Sequence, residues 1–302
     1  MNTPLAKWLV FSVLALTWGS SFILMKRGLI SFDFFQVGLL RISFAALVTL
    51  SFAWRSLKEF RRKDLKYIIT VGLLGNGIPY FLFPIAVTRL DSSLVGILNS
   101  LVPLFTIVIG AIFFKISPKK LQFVGIFIGL LGAVWLLAPW QSDIAPENLM
   151  YGLFPIIATI QYAISINIIS QKLTHLSSNA ITLLSFLSLL VPAVILLFVF
   201  TDFVFVVTHV ETALTSLGYI AVLGAVGSSI AVVLFNMLIK STSALFASSI
   251  TYCVPIVAAA WGFLDGEQIG TRHLVGILFI LLGVYLVNAK KEVRFFRAFR
   301  VR

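Results

Sequence analysis

Residues 177–200 read SSNAITLLSFLSLLVPAVILLFVF, a stretch without one charged side chain. A helix rises ~1.5 Å per residue, so this run is long enough to cross the ~30 Å hydrocarbon core of a bilayer. Comparable runs recur on both sides of it. Working outward, spans are predicted over 150–170, 121–139, 93–114, 65–88, 35–54 and 5–25 toward the N-terminus, and over 217–239, 243–264 and 273–289 toward the C-terminus. Composition points the same way: 60% of the 302 residues are hydrophobic and 11% charged, where soluble domains carry roughly 25% charged residues. The expected fold class is an all-α integral membrane protein of ten transmembrane helices. Its first run begins behind Lys7 and is too long for a signal-peptide core, so it reads as a retained helix. The stretch from Asp202 to Ser216, interrupted by His209 and Glu211, reads as a segment lying along the interface.

The basic residues test this count. Eighteen lie on the side of the N-terminus: Lys7, the cluster from Arg55 to Lys66, then Lys115, Lys119, Lys120, Lys172, Lys240 and the tail from Lys290 to Arg302. Four, Lys26, Arg27, Arg89 and Arg272, lie on the other. By the positive-inside rule both termini are expected in the cytoplasm. The net charge of +12 therefore reads as topology signals and attraction to anionic lipid, with no nucleic-acid partner. Bases alternate with Phe295, Phe296 and Phe299 in the tail, the pattern of an interfacial anchor. The single cysteine, Cys253, excludes an internal disulfide. His175, His209 and His273 fall near the ends of different runs without metal spacing, so neither metal nor cofactor is expected.

An internal repeat is legible. Placing Pro103 on Pro255 aligns Val102-Pro103 with Val254-Pro255 and Gly110 with Gly262; one residue of slip later, Gly125 and Gly132 align with Gly276 and Gly283. The spacing puts spans 4 and 5 on spans 9 and 10, so each repeat holds five helices. Five is odd, and the second repeat must enter the membrane from the opposite side. The expected organisation is a first five-helix repeat over 1–140, an inverted second repeat over 141–289, and a basic cytoplasmic tail over 290–302.

Leu16-Thr17-Trp18-Gly19-Ser20-Ser21-Phe22, Arg41, Thr242-Ser243-Ala244, Val254-Pro255, Asp265-Gly266-Glu267 and the later Gly276 and Gly283 follow one another in an order that resembles the drug/metabolite transporter superfamily, in its EamA-type branch of ten-helix transporters. The resemblance covers essentially the whole chain. It implies five-plus-five inverted repeats, a central cavity and export of metabolites or amino acids across a bacterial inner membrane. Lys115 departs from the pattern, standing where the first repeat usually carries an acid, whereas the second keeps Glu267.

Polar side chains at mid-depth mark a cavity, because lipid-facing positions exclude them. Spans 1, 3, 4, 6, 8 and 9 carry such residues; spans 5 and 10 offer little but glycine and aliphatics. The candidate substrate-binding residues are Trp18 and Ser21 on span 1, Asn76 and Tyr80 on span 3, and Asn99 and Ser100 on span 4. The second half adds Gln161, Tyr162 and Ser165 on span 6, Ser229 on span 8, and Thr251 and Tyr252 on span 9. Pro103 and Pro255 each free a carbonyl four residues back, at Asn99 and Thr251, near the middle of their spans. Arg41, the only strong base well inside a span, suits either an anchor that reaches to the interface or a gate or ligand contact. With Pro103, Pro255 and Glu267 it forms the gating or structural set. Gly125, Gly129, Gly132, Gly276 and Gly283 read as close helix contacts.

All eleven acids fall in loops or at span ends, which favours facilitated diffusion or exchange over proton relay, with Glu267 keeping coupling open. One arginine is thin provision for a phosphorylated substrate. No phosphate loop is present to use ATP. The expected function is a secondary transporter, an exporter of small polar organic metabolites such as amino acids, working by alternating access on a small-molecule substrate within the lipid bilayer. The alternatives are a membrane enzyme acting on lipid-linked substrates, for which no nucleophile, base or metal cluster is evident, and a channel or structural subunit.

Overall fold

The computed structural model describes residues 3–90, 92–116, 119–137, 150–264 and 271–288. The regular elements among them are all helical. Side chains cap several helix starts, satisfying amides that have no partner within the helix. Ahead of α1 (Pro4–Gly28), Thr3 accepts from the Ala6 N–H. Ahead of α2 (Phe34–Ala53), Asp33 accepts from the Gln36 N–H at 2.7 Å while the Gln36 side chain accepts from the Asp33 N–H at 3.1 Å, a complete capping box.

The predicted span 65–88 is α3 (Leu65–Gly72), a π-helical turn over Leu73–Gly77, and α4 (Pro79–Val87). Span 93–114 is broken into α5 (Ser92–Asn99) and α6 (Val102–Phe114), followed by α7 (Lys120–Leu137), α8 (Leu153–Lys172) and α9 (Ser178–Phe200). Next come the short α10 (Phe203–His209), then α11 (Ala213–Gly224), a π-helical segment over Ala225–Ile230 and α12 (Ala231–Ser241). The chain continues through α13 (Ala244–Ser248), a 3-10 turn over Ser249–Tyr252, α14 (Val254–Leu264) and α15 (Thr271–Asn288).

Among the described residues seven helices are long and apolar enough to cross a membrane: Pro4–Gly28, Phe34–Glu59, Arg62–Val87, Met150–Lys172, Ser178–Phe200, Ala213–Ser241 and Ala244–Leu264. Three shorter apolar helices accompany them, Val102–Phe114, Lys120–Gly132 and Leu274–Val287. Ten equal crossings is thus finer than the helices themselves establish. For 93–114 the reason is Pro103, which enters near the start of α6 instead of kinking a continuous helix, just as Pro255 enters α14. A proline has no N–H to give the preceding turn and is tolerated at a helix start. The segment from Asp202 to Ser216 is not one interfacial stretch either: α10 ends at His209 and α11 already begins at Ala213.

Glycines bring α7 and α15 into backbone contact. A Cβ on Gly125 would stand 2.8 Å from the Gly283 carbonyl oxygen, and one on Gly132 2.9 Å from that of Gly276. Large apolar side chains, among them Leu16, Phe113, Phe200 and Leu278, cover the outer surface, which suits contact with acyl chains. The tail 290–302, Glu267 and Asp143 lie outside the described residues.

Candidate functional site

The π turns and proline breaks disturb the helices at mid-length and turn polar groups inward. In the first π turn the Ile78 N–H reaches back five residues to the Leu73 carbonyl at 2.8 Å. In the second the Ser228 hydroxyl reaches five residues back to Leu223, and the carbonyl of Gly227 accepts from the Trp18 indole N–H at 3.1 Å. Widened turns release backbone groups in this way, and they frequently mark functional sites.

Around these disturbances lies a cavity of about 890 Å³ of empty space, its open mouth included. Eight of the predicted binding residues line it: Trp18, Ser21, Asn76 and Tyr80, together with Asn99, Tyr162, Ser165 and Thr251. Arg41 lines it too. The Arg41 side chain does not reach for the interface; the residue is 5% exposed, its Nε donates to Ser228 Oγ at 2.8 Å, and its guanidinium lies 3.7 Å from the centre of the Tyr80 ring. Tyr162 stacks on Phe83, and Trp18 meets Phe235 edge to face, so part of the cavity wall is aromatic.

Four predicted residues are used elsewhere. Ser229 bonds Thr49 on α2 at 2.7 Å. The Ser100 hydroxyl donates to the Thr251 carbonyl. Tyr252 is fully buried with its hydroxyl on the Ile126 carbonyl at 3.2 Å and its ring against Gly129. Gln161 is outside the lining, with its side-chain oxygen buried and unpartnered. Pro103 and Pro255 are buried at helix starts and act through the backbone.

Sequence reasoning passed over three polar lining residues, Thr182 and Ser185 on α9 and Asn236 on α12. The signal was present. Thr182 and Ser185 share a face at three-residue spacing, and Asn236 lies seven residues beyond Ser229, two turns along the same helix side. Among the described residues lining the cavity there is no carboxylate.

Two further cavities lie beside the central one. One, of about 610 Å³, lies among Thr106, Gly110, Asn167, Ser170 and Ala244; the other, of about 260 Å³, lies among Gly19, Phe22, Ser92, Ala258 and Gly262.

The family model of the EamA-like transporters matches this chain twice, over residues 6–138 and again over 149–289. The chain belongs to the EamA-like transporter family. That places it in the drug/metabolite transporter superfamily, as an integral membrane protein that moves small molecules across a membrane. It is 24% identical over 292 residues to an uncharacterized transporter of Archaeoglobus fulgidus, covering 94% of this chain and 99% of that protein. It is 26% identical over 300 residues to the uncharacterized inner membrane transporter YedA of Escherichia coli K12, covering 93% and 92%. A solved crystal structure aligns with a TM-score of 0.74 at 15% identity over 95% of this chain and 97% of the other, a likeness of fold.

Proposed function

We propose that this EamA-like transporter carries a small polar solute bearing a carboxylate, amino acids being the plainest class, outward across a bacterial inner membrane. The observation that carries the reading is Arg41. A buried guanidinium in a cavity whose described lining holds no carboxylate costs several kcal/mol unless it is paired. A hydroxyl and a ring face are partial compensation, and a solute carboxylate completes it with charge-assisted hydrogen bonds. That no described lining residue is a carboxylate also favours facilitation or exchange over proton coupling.

The reading includes ten spans in two inverted repeats, 1–140 and 141–289, with both termini cytoplasmic. The double family match supports this, as do breaks that recur 152 residues apart: Pro103 with Pro255, and the π turn at Leu73 with that at Ala225. The two flanking cavities add to it. Thr106, Gly110 and Ala244 of the larger correspond by the same spacing to Ala258, Gly262 and Ser92 of the smaller. Repeat-related crevices of unequal size are what alternating access requires when one path is open and its counterpart narrowed.

The test is transport by the full-length protein in liposomes, using a panel of amino acids, other monocarboxylates and uncharged solutes. Carboxylates are expected to be carried, and Arg41→Gln is expected to lower apparent affinity roughly ten- to a hundredfold, the scale of a lost hydrogen bond to a charged group. Equal carriage of uncharged solutes, unaffected by Arg41→Gln, overturns the carboxylate reading.

A further inference from the structure

Three buried side-chain atoms among the described residues find no hydrogen-bond partner: Gln161 Oε1, Ser185 Oγ and Asn236 Oδ1. The last two belong to one corner of the central cavity. Native proteins leave few such atoms, so two together in a cavity wall call for an explanation.

The corner's hydrogen bonds define its chemistry. The Thr182 hydroxyl donates its only hydrogen to the Ser178 carbonyl at 2.9 Å, so toward Asn236 its oxygen acts only as an acceptor. The Asn236 atom facing it at 2.9 Å must therefore be the amide nitrogen. That settles which way the amide is turned: one N–H of Nδ2 is given to Thr182, and Oδ1 is left as an acceptor without a partner. Asn236 is 1% exposed and Ser185 fully buried, so bulk water is not the partner these atoms await.

This corner lies far from Arg41. Ser228, which holds Arg41, and Asn236 are eight residues apart on one continuous helical path, or ~12 Å at ~1.5 Å per residue. The rings of Trp18, Phe83, Tyr162 and Phe235 line the same cavity. Its wall thus offers a cation, aromatic faces and, roughly two helical turns from the residue that holds the cation, a neutral acceptor beside a hydroxyl.

We infer that Asn236, oriented by Thr182, forms with Ser185 a second recognition subsite that receives an uncharged N–H or O–H donor at the far end of a carboxylate-bearing solute. This rests on the carboxylate reading of Arg41. A second carboxylate is disfavoured there, because it would meet the Asn236 oxygen. A distal ammonium is disfavoured too, because no acid among the described residues lines that corner to offset its desolvation. The preferred solutes are elongated monocarboxylates with an apolar or aromatic middle and a distal hydroxyl, amide or ring N–H.

The test is equilibrium binding of a matched pair, p-hydroxyphenylpropionate and phenylpropionate, to the full-length protein in lipid nanodiscs. The hydroxylated acid is expected to bind roughly three- to tenfold more tightly, the scale of one hydrogen bond made in a buried site. Asn236→Leu is expected to abolish that preference, read as the ratio of the two acids' affinities in the same variant. Ser185→Ala removes a hydroxyl that bonds nothing in the protein, so it keeps the fold; it is expected to cut the preference by about half or more. Equal binding of the two acids by the wild type, or a preference that survives both substitutions, overturns the subsite. Binding of neither acid, in wild type and Arg41→Gln alike, overturns the carboxylate reading instead, and the subsite falls with it.

Discussion

The hydroxyl of Ser100 donates to the main-chain carbonyl of Thr251 at 3.1 Å, joining the two proline-broken helices at the centre of the bundle. In an unbroken helix the residue four beyond Thr251 would supply that hydrogen bond. That residue is Pro255, which has no N–H. A side chain of one half of the chain therefore completes the backbone of the other.

Ser100→Ala is accordingly expected to lower stability by about 1 kcal/mol, read as a reduced unfolding midpoint in detergent. In a Pro255→Ala background the new N–H can satisfy Thr251, and Ser100→Ala should then cost measurably less. Simple additivity of the two substitutions would show that the bond is not the link between them.

Close backbone contact between α7 and α15 leaves no space at Gly283, where a Cβ would meet the Gly125 carbonyl oxygen and the Gly129 backbone at 2.6 Å. Gly283→Leu is expected to abolish folded yield. Gly218 has no atom within 4 Å of a built Cβ, and Gly218→Ala should be neutral or stabilising by up to ~1 kcal/mol through helix propensity. Size-exclusion profiles of the two variants decide it, and similar profiles would contradict the packing assigned here.

At one end of the bundle, Glu59 accepts from both the N–H and the hydroxyl of Ser177, at 2.6 and 2.7 Å, and Asp64 bonds His175 at 2.9 Å. Lys240 donates to the Leu176 carbonyl beside them. These contacts hold the loop before α9 to the loop after α2. Glu59→Gln with Asp64→Asn should loosen this closure, so that a cysteine placed at Thr182 in a Cys253→Ala background reacts roughly two- to fivefold faster with a soluble thiol reagent, as a shift of ~0.5–1 kcal/mol in an opening equilibrium implies. An unchanged rate would mean the contacts do not control access.

The ring of Tyr80 supports the Arg41 guanidinium, while its hydroxyl makes only a long 3.4 Å contact with Asn76. Tyr80→Phe should therefore transport near the wild-type rate, and Tyr80→Leu should weaken apparent affinity roughly two- to tenfold, the scale of a desolvated cation–π contact. Equal loss in both variants would move the role from the ring to the hydroxyl.

Cysteines at Lys58 and Arg297 should label from the cytoplasmic face only, and one at Asp143 from the opposite face only, as the charge asymmetry requires. Labelling of positions 58 and 297 from different faces would contradict the inverted repeat.

By itself the sequence determined the solvent of this protein, its helical class and its family. Apolar runs, flanking bases and the spacing of Pro103 and Pro255 are local properties that a bilayer reads directly, since each span must satisfy its own backbone. It also marked most of the cavity's polar lining, because a polar residue at mid-depth has few places to go; Trp18, Asn76, Tyr80 and Asn99 are inside for that reason. Only the tertiary structure decided which polar groups stay open to a solute. Ser100 and Tyr252 look as eligible as Asn99 and Thr251 in one dimension, but helix packing brings the Thr251 and Ile126 carbonyls within their reach, and those bonds consume them. Packing alone leaves Asn236 Oδ1 and Ser185 Oγ buried without a hydrogen-bond partner. Whether a hydrogen-bonding group is spent or free depends on neighbours distant in the chain, which no pattern along a single helix contains.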